Sequence, residues 1–562
     1  MKRIVLIKLV VILSAFVITA DAYGASNRSP QQSRDVAITN ISAPSSCVQG
    51  DTVSVVVNVE NQGDSSEEVH VALTDVTNGL KIGSQSVTLS AAGKGGIDEK
   101  ADVIINAEGT GVQQFGNYPH CGDVNGDGCD DLLVTAAYWN NNNKQGRAYI
   151  YLGSKNGIDN KPDWIVTGEN TGDYFGEGCA LGDINADGYD DVVIGAPGYN
   201  NMRGRAYIFF GGPDIDNKAD VILEGEPGTT GAFGREVYIG YIDDDKYADL
   251  MINAMLYNSA TGRVYLFYGG EPFDSGADKI IDGEAPGDRI GREGHIGKDV
   301  NGDGYGDILL GARAWDNETG RAYLFYGGTR ETMDTVCDKV FTGEARGDRL
   351  GCDVCLADID NDGLADVLIG APRNRGQGRV YLCWGAADMD TKPDLILNGQ
   401  EGVNSRFGHQ IAAGYFNTDD YPDFVVGAFG YRYFSERRGG VYLFYGNERA
   451  SINTMPDVIF TGEESRSYFS TRNAVGDFNG DNLDDLYIAA VYYPNNTRQG
   501  RGYIYYNNPY PSRDIKLNWD TTNTLIGDHI LKAEIVTVAG EEDTADNTMT
   551  ITVNVKAKVK EK

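Results

Sequence analysis

Residues 183–197 read Asp183-Ile184-Asn185-Ala186-Asp187-Gly188-Tyr189-Asp190-Asp191-Val192-Val193-Ile194-Gly195-Ala196-Pro197, and this stretch decides the fold. Acidic or amide side chains alternate along its first half, and a glycine permits a sharp turn. An aliphatic run follows, reads as a buried strand, and stops at Gly-Ala-Pro. The unit recurs. Its acidic loop begins at Asp123, Asp183, Tyr241, Asp299, Asp358, Tyr415 and Asp477, in steps of 60, 58, 58, 59, 57 and 62 residues. A period near 60 built from short strands, with little helical periodicity, signals a β-propeller rather than a helical solenoid.

Each repeat carries the same landmarks in order. A Phe-Gly or aliphatic-Gly pair (Phe115-Gly116, Phe175-Gly176, Phe233-Gly234, Ile290-Gly291, Leu350-Gly351, Phe407-Gly408) precedes a strand and the acidic loop; Phe469-Ser470 departs from it. After the aliphatic strand comes a Gly-Arg-x-Tyr strand, such as Gly204 to Phe210, and then a short Asp-x-Ile-Ile strand. Four strands per repeat make a blade. One such outer strand, Asp102 to Ile105, precedes the first blade, and none follows Tyr503-Ile504-Tyr505. Asp102 to Ile105 is therefore expected to complete blade seven, which would otherwise expose a sheet edge.

The flanks, 35–95 and 512–557, hold about seven further alternating strands, too few in either half for a sandwich. The expected fold class is all-β: a seven-bladed propeller at 100–508 inserted into a β-sandwich. Two independent small flanking domains are the alternative. Residues 1–22 read as a signal peptide, with Lys2, Arg3 and Lys8, an apolar stretch from Leu9 to Ala20 and an Ala20-Asp21-Ala22 cleavage site. A linker, 23–34, follows. No later segment is apolar enough to span a bilayer, so the mature chain is expected to be secreted or at the cell surface, with the periplasm open. Eighty-two acidic against 48 basic residues, a net charge of −34, argue against nucleic acid and anionic membranes as partners. Eight cysteines show no zinc spacing and are read as structural, their connectivity open.

The loops follow D-x-[DN]-x-D-G-x-x-D. Blade one offers Asp123, Asn125, Asp127 and Asp131; blade two Asp183, Asn185, Asp187 and Asp191; blade four Asp299, Asn301, Asp303 and Asp307. Blade five offers Asp358, Asp360, Asp362 and Asp366; blade seven Asp477, Asn479, Asp481 and Asp485, with Asn482 in place of the glycine. Position seven (Cys129, Tyr189, Tyr305, Leu364, Leu483) would add a backbone carbonyl. Oxygen donors alone suit a hard cation, and a wrapped, many-oxygen loop suits Ca2+ better than Mg2+. About five structural calcium ions are expected. An EF-hand is excluded, because position twelve is aliphatic (Val134, Ile194, Leu310, Ile369, Ile488) where that loop needs a glutamate. Blades three and six are degenerate: Tyr241 and Tyr415 replace the first Asp, while Lys246 and Asp420 replace the glycine. Lys246 is expected to place its ammonium where the cation would sit.

With these landmarks placed, the repeats resemble the FG-GAP repeats of integrin α-subunit propellers. The resemblance implies seven blades, with calcium loops on the face opposite the ligand-binding face. The flanking domain resembles a CARDB-type immunoglobulin-like module through Val59-Glu60-Asn61-Gln62-Gly63, Trp519 and Gly527-Asp528-His529. By analogy, loops after the Gly-Ala-Pro strand would line the ligand face. Six aromatics fall there, Trp139, Tyr199, Tyr257, Trp315, Tyr431 and Tyr493, with Asn374 in the seventh blade. They would either stack on a ligand or pack between blades. Arg346-Gly347-Asp348 spells an integrin-ligand tripeptide, but Gly172-Asp173 and Gly287-Asp288 hold the same repeat position, so it belongs to the repeat. His70, His120, His295, His409 and His529 form no catalytic spacing, and no nucleophile motif appears. The expected function is a non-enzymatic adhesion or ligand-binding module for an extracellular protein or glycan. A polysaccharide-active enzyme or a structural envelope component is the alternative.

Overall fold

The aliphatic run after each acidic loop becomes the second strand of a blade. These strands are Asp131–Thr135, Asp191–Ala196, Asp249–Ala254, Asp307–Ala312, Asp366–Ala371, Asp423–Ala428 and Asp485–Ala489, and every residue in them is buried. Both faces are covered, which explains why they read as continuous hydrophobic runs rather than alternating ones. In this computed structural model the described residues are 36–61, 67–89, 96–97, 100–109, 111–139, 143–400, 404–433, 436–508, 512–536 and 548–557. The expected signal peptide and linker, 1–34, lie outside them.

Seven four-stranded antiparallel sheets form the larger unit, Lys94–Pro509. Blade two runs outward through Gly178–Gly182, Asp191–Ala196, Arg205–Phe209 and Val221–Glu224. Its last strand is buried on one side only, as the edge of a blade should be. Blade seven is completed from the other end of the repeat region. Val103–Asn106 pairs with the Arg501–Tyr505 strand, Tyr503 opposite Ile104 and Gly502 opposite Ile105. The innermost strands of successive blades neighbour one another, and that of blade seven, Arg472–Gly476, lies beside that of blade one, Asn117–Gly122. The ring is closed, and blade seven has four strands like the others.

The core sits between blades. Leu132 and Val134 of blade one pack with Tyr487 and Ala489 of blade seven, while Leu133 and Ile150 pack with Val192 and Ile194 of blade two. The glycine that opens the third strand and the Phe-Gly landmark bridge at five junctions: Gly146 bridges Phe175 of the next blade, and Gly500 bridges Phe115 around the closure. Gly146 has φ +85°, and a Cβ there would lie 1.9 Å from the Phe175 carbonyl oxygen. That close approach requires glycine. Acidic loops join first to second strands, so they share one face of the ring. Residues that begin the first strands or follow the second strands share the other.

The smaller unit, Met1–Gly93 with Tyr510–Lys562, consists of two sheets. Val36–Ser42, Thr52–Asn61 and Ser512–Asp520 form one; Ser46–Val48, Thr548–Lys556, Gly527–Val536, Glu67–Asp75 and Leu80–Leu89 form the other. Strands from both ends of the chain pair directly, Val55 opposite Leu517. Val55, Val57, Val71, Trp519, Leu531 and Val553 share one buried core. All eight cysteines are free thiols. Among the described residues no helix is long and apolar enough to cross a membrane.

Ile105 is fully buried in the blade-seven cluster. Ile105→Ala should cost about 2–5 kcal/mol of stability, measured by urea unfolding. A loss within the range of a surface substitution would show that the closing strand contributes little.

Candidate metal loops

Position nine of the acidic loop is the aspartate that opens each second strand. In blade four, Asp307 Oδ2 accepts the Val300 N–H at 2.8 Å and Oδ1 accepts the Gly327 N–H at 2.8 Å. The same pair of bonds recurs in every blade, at Asp131, Asp191, Asp249, Asp366, Asp423 and Asp485. It persists in blades three and six, whose first position is tyrosine. This aspartate therefore has a task independent of any ion: it ties the loop to the turn after the third strand. All seven are fully buried. Burial, opposed by these amide bonds and reinforced by neighbouring loop carboxylates, pushes their carboxyls up to about 7, and to about 9 in Asp485.

The remaining donors wrap the turn. Asp299 Oδ1 accepts the Gly302 N–H at 2.6 Å and Oδ2 the Gly304 N–H at 2.9 Å. Asn301 Oδ1 accepts Asp303 N–H, and Asp303 Oδ1 accepts Tyr305 N–H. Blades one, two, five and seven bond in the same manner. In blade five, ligand oxygens of Asp358, Asp360 and Asp366 lie within 4.8 Å of one another. The donors are oxygens, and bunched carboxylates of this kind suit a hard divalent cation.

Arginines already pair with the carboxylates of two loops. In blade three, Arg330 reaches back from blade four and bonds Asp243 at 3.0 Å and Asp245 at 2.6 Å. Its guanidinium, not the Lys246 ammonium, takes the cation's place; Lys246 lies over the Tyr247 ring at 4.7 Å. Tyr241 is 48 % exposed and contributes no carboxylate to the loop. In blade five, Arg449 from blade six contacts Asp360 and Asp362. The two arginines hold the same place in their blades, three residues after the glycine that follows the third strand.

Position eight is a contact that the sequence reading passed over. Asp190 Oδ2 accepts the Asp123 N–H of blade one at 3.0 Å, Asp130 that of Asp477, and Asp484 that of Tyr415. Each joins a loop to the preceding blade. The doubled Asp-Asp in Cys129-Asp130-Asp131, Tyr189-Asp190-Asp191 and Leu483-Asp484-Asp485 was the available signal.

On the opposite face the six aromatics are half-buried. Five of them stack on the arginine of their own Gly-Arg strand: Trp139 on Arg147, Tyr199 on Arg205 and Trp315 on Arg321 at 3.6 Å, Tyr493 on Arg501 at 3.7 Å, Tyr257 on Arg263 at 4.0 Å. Each arginine also pairs with a glutamate after the preceding blade's outer strand, such as Arg321 with Glu284 at 2.6 Å and Arg501 with Glu463 at 3.0 Å. In blade six Gly440 replaces the arginine and Gln400 the glutamate, and Tyr431 packs edge-on against Tyr442. The geometry gives these aromatics a strap between blades. In Arg346-Gly347-Asp348 the aspartate is buried, accepting Ala345 N–H and Asn374 Nδ2–H.

Comparison with known proteins agrees with this division of the blades. The family model described as FG-GAP repeat matches residues 121–151, 175–209, 291–325, 353–383 and 469–505. Those are blades one, two, four, five and seven, the five with intact loops. Phosphatidylinositol-glycan-specific phospholipase D of Bos taurus is 31 % identical over 197 residues, 32 % of this chain and 23 % of that protein. Integrin alpha-8 of Homo sapiens is 32 % identical over 224 residues, 37 % and 20 % of the two chains. Integrin alpha-5 of Xenopus laevis is 27 % identical over 213 residues, 35 % and 20 %. The match thus spans less than a quarter of each relative. A solved chain titled "Structure of Dos1 propeller" covers 84 % of this chain and 95 % of its own at 11 % identity, with a TM-score of 0.39.

In a double-mutant cycle on Trp315→Ala and Arg321→Ala, the pair should be coupled by about 0.5–2 kcal/mol. Additive losses on thermal or urea unfolding would show that the stack contributes nothing.

Proposed function

We propose that this protein is an exported propeller that binds or adheres to an extracellular protein or glycan and uses calcium as a structural brace. The observation that carries the reading is the coincidence of intact oxygen-donor loops with the five family-matched blades. Loop bonds cross blade junctions, so a cation held there would tighten the ring rather than act on a substrate. The donors would be the loop residues of blades one, two, four, five and seven named above. Blade three would not take part, because Arg330 supplies its positive charge. The integrin relatives support the binding role, and the signal-like N-terminus supports export. The flanking two-sheet unit is read as an immunoglobulin-like, CARDB-type module. The non-enzymatic reading has a direct check. New reducing ends released from polysaccharides by the purified protein would overturn it.

Calcium should raise the melting midpoint and chelation should lower it; a site held at a hundredfold excess over its Kd contributes about 2.7 kcal/mol. An unchanged midpoint would sink the brace. Two substitutions separate the roles within a loop. Asp303→Ala in blade four should reduce the calcium-dependent part of stability more than the part that remains in chelator, where it loses only exposed turn bonds. Asp423→Asn in blade six should cost about 1–3 kcal/mol equally with calcium and with chelator, because it loosens an amide clasp and no ion site. Arg449→Ala should tighten calcium binding in blade five by removing the competing guanidinium, read by titration calorimetry. Unchanged affinity would mean that Arg449 yields to the ion without cost.

A further inference from the structure

At the centre of the face opposite the acidic loops, the first strands begin around two adjoining pits. The larger, about 650 Å³, is lined by Arg235, Arg292, Arg472 and Arg498. The smaller, about 210 Å³, is lined by Arg313, Arg349, Arg373, Arg406 and Arg437. His409, Phe429 and Tyr468 wall both. Nine arginines thus converge in a chain whose net charge is −34.

The positive charge is not balanced locally. Glu177 pairs with Arg235 at 3.0 Å, Glu293 lies 3.9 Å from Arg292, and Glu318 takes both Arg349 and Arg373. Among the described residues, no ion pair holds Arg313, Arg406, Arg437, Arg472 or Arg498. Beneath the mouth, Glu236 and Asp353 are buried, and burial pushes both carboxyls well above the usual range; Glu236 and Glu293 are the carboxyls that act on Arg472. Burial and then Arg373, Arg437 and Arg349 push Arg406 below its ordinary value. His409 is likewise held neutral, by burial first and then by Arg472, Arg313, Arg292 and Arg406. Buried donors are also left over: Nε of Arg235, Arg292 and Arg437 have no hydrogen-bond partner, nor has the ring nitrogen Nδ1 of His409. Clustered guanidiniums with spare donors repel one another unless an anion joins them, and Arg is the side chain suited to bidentate pairing with oxyanions.

We propose that this mouth binds an anionic saccharide, its carboxylate or sulfate groups taken by the arginines. The proposal rests on the ligand-binding reading above and assigns that reading its ligand class. The walls favour a saccharide over an acidic peptide. Gln114, Asn117, Thr471 and Asn496 supply hydroxyl and amide groups, and Val491 is the single aliphatic residue in the larger lining. A peptide's aliphatic side chains would find one aliphatic counterpart there, whereas sugar hydroxyls find several polar partners. Tyrosine rings back the arginines, with Arg472 over Tyr118 at 4.8 Å, Arg498 over Tyr492 at 5.2 Å and Arg437 over Tyr468 at 5.7 Å. The larger pit falls in the size range of small-ligand sites, about 300–1,000 Å³, so it would admit a chain end or branch. A recessed positive mouth also focuses field on an approaching anion despite the overall charge.

The test is titration calorimetry on the full mature protein in calcium buffer, with trigalacturonate, sulfated maltotriose, neutral maltotriose and tetraglutamate. One or both charged sugars should bind, with maltotriose and tetraglutamate at least about tenfold weaker and affinity falling as salt rises. Binding by one charged sugar alone distinguishes carboxylate from sulfate. Arg406→Gln with Arg437→Gln should cut that affinity at least about tenfold without lowering the melting midpoint, because the pair relieves repulsion. Arg498→Gln, at an exposed position, gives a second reading if the double variant misfolds. Tetraglutamate binding as tightly as the sugars, absence of charged-sugar binding, or affinity unmoved by these variants would overturn the proposal. If immobilised matrix proteins bind while no charged sugar does, this inference fails and the adhesion reading stands.

Discussion

One carboxylate organises each blade. The position-nine aspartate is buried at the root of the second strand, and its two oxygens take one amide from the acidic loop and one from the turn beyond the third strand. A buried carboxyl without those amides would be costly. With them, it fixes the loop's entry against the sheet. Because all seven blades keep this clasp, the loop stays folded whether or not its outer donors could hold an ion. The outer donors are then free to vary, as they do in blades three and six.

That freedom accounts for the arginines. A loop with several carboxylates needs positive charge nearby, and two neighbours provide it from one structural position, Arg330 toward blade three and Arg449 toward blade five. In blade three the surrogate accompanies the loss of the first aspartate. In blade five the motif is intact, so a guanidinium and a cation would claim the same oxygens. Neutralising the loops is a constraint on the ring. A metal ion is one way to satisfy it and a neighbouring side chain is another.

Much of this was legible because the repeat displays itself seven times. Loop period, strand order and the closing role of residues 102–105 follow from patterns with steric or hydrogen-bonding causes. The contacts between repeats were harder to read. Glu284 and Arg321 lie 37 residues apart, and the pairing emerges only when blade six, with Gln400 and Gly440, is seen to lose both charges together. The aromatics two residues past Gly-Ala-Pro read equally as ligand-stacking or as packing between blades, because sequence does not show that an arginine six to eight residues later folds back over the ring. Lys246 was credited with a role that Arg330 performs from another blade, a long-range choice that no local spacing encodes. The arginine mouth was equally hidden, because its members come from separate repeats and become neighbours only through ring closure.

The two faces also divide the charge. Acidic loops gather where first strands end; the arginines gather where first strands begin. This follows from the propeller's own topology, since each strand delivers one residue set to each face and the ring multiplies it by seven. A modest bias at a repeat position becomes a concentrated field at the axis. A chain with strongly negative net charge can therefore keep a positive mouth, provided that its acidic residues are held at the opposite face or paired with straps at the rim. Glu284 and Glu463 sit in such straps, bonded to Arg321 and Arg501. The acidic loops and the arginine mouth are thus consequences of one arrangement: most of the carboxylates are secured at the loops and in the straps, away from the central guanidiniums.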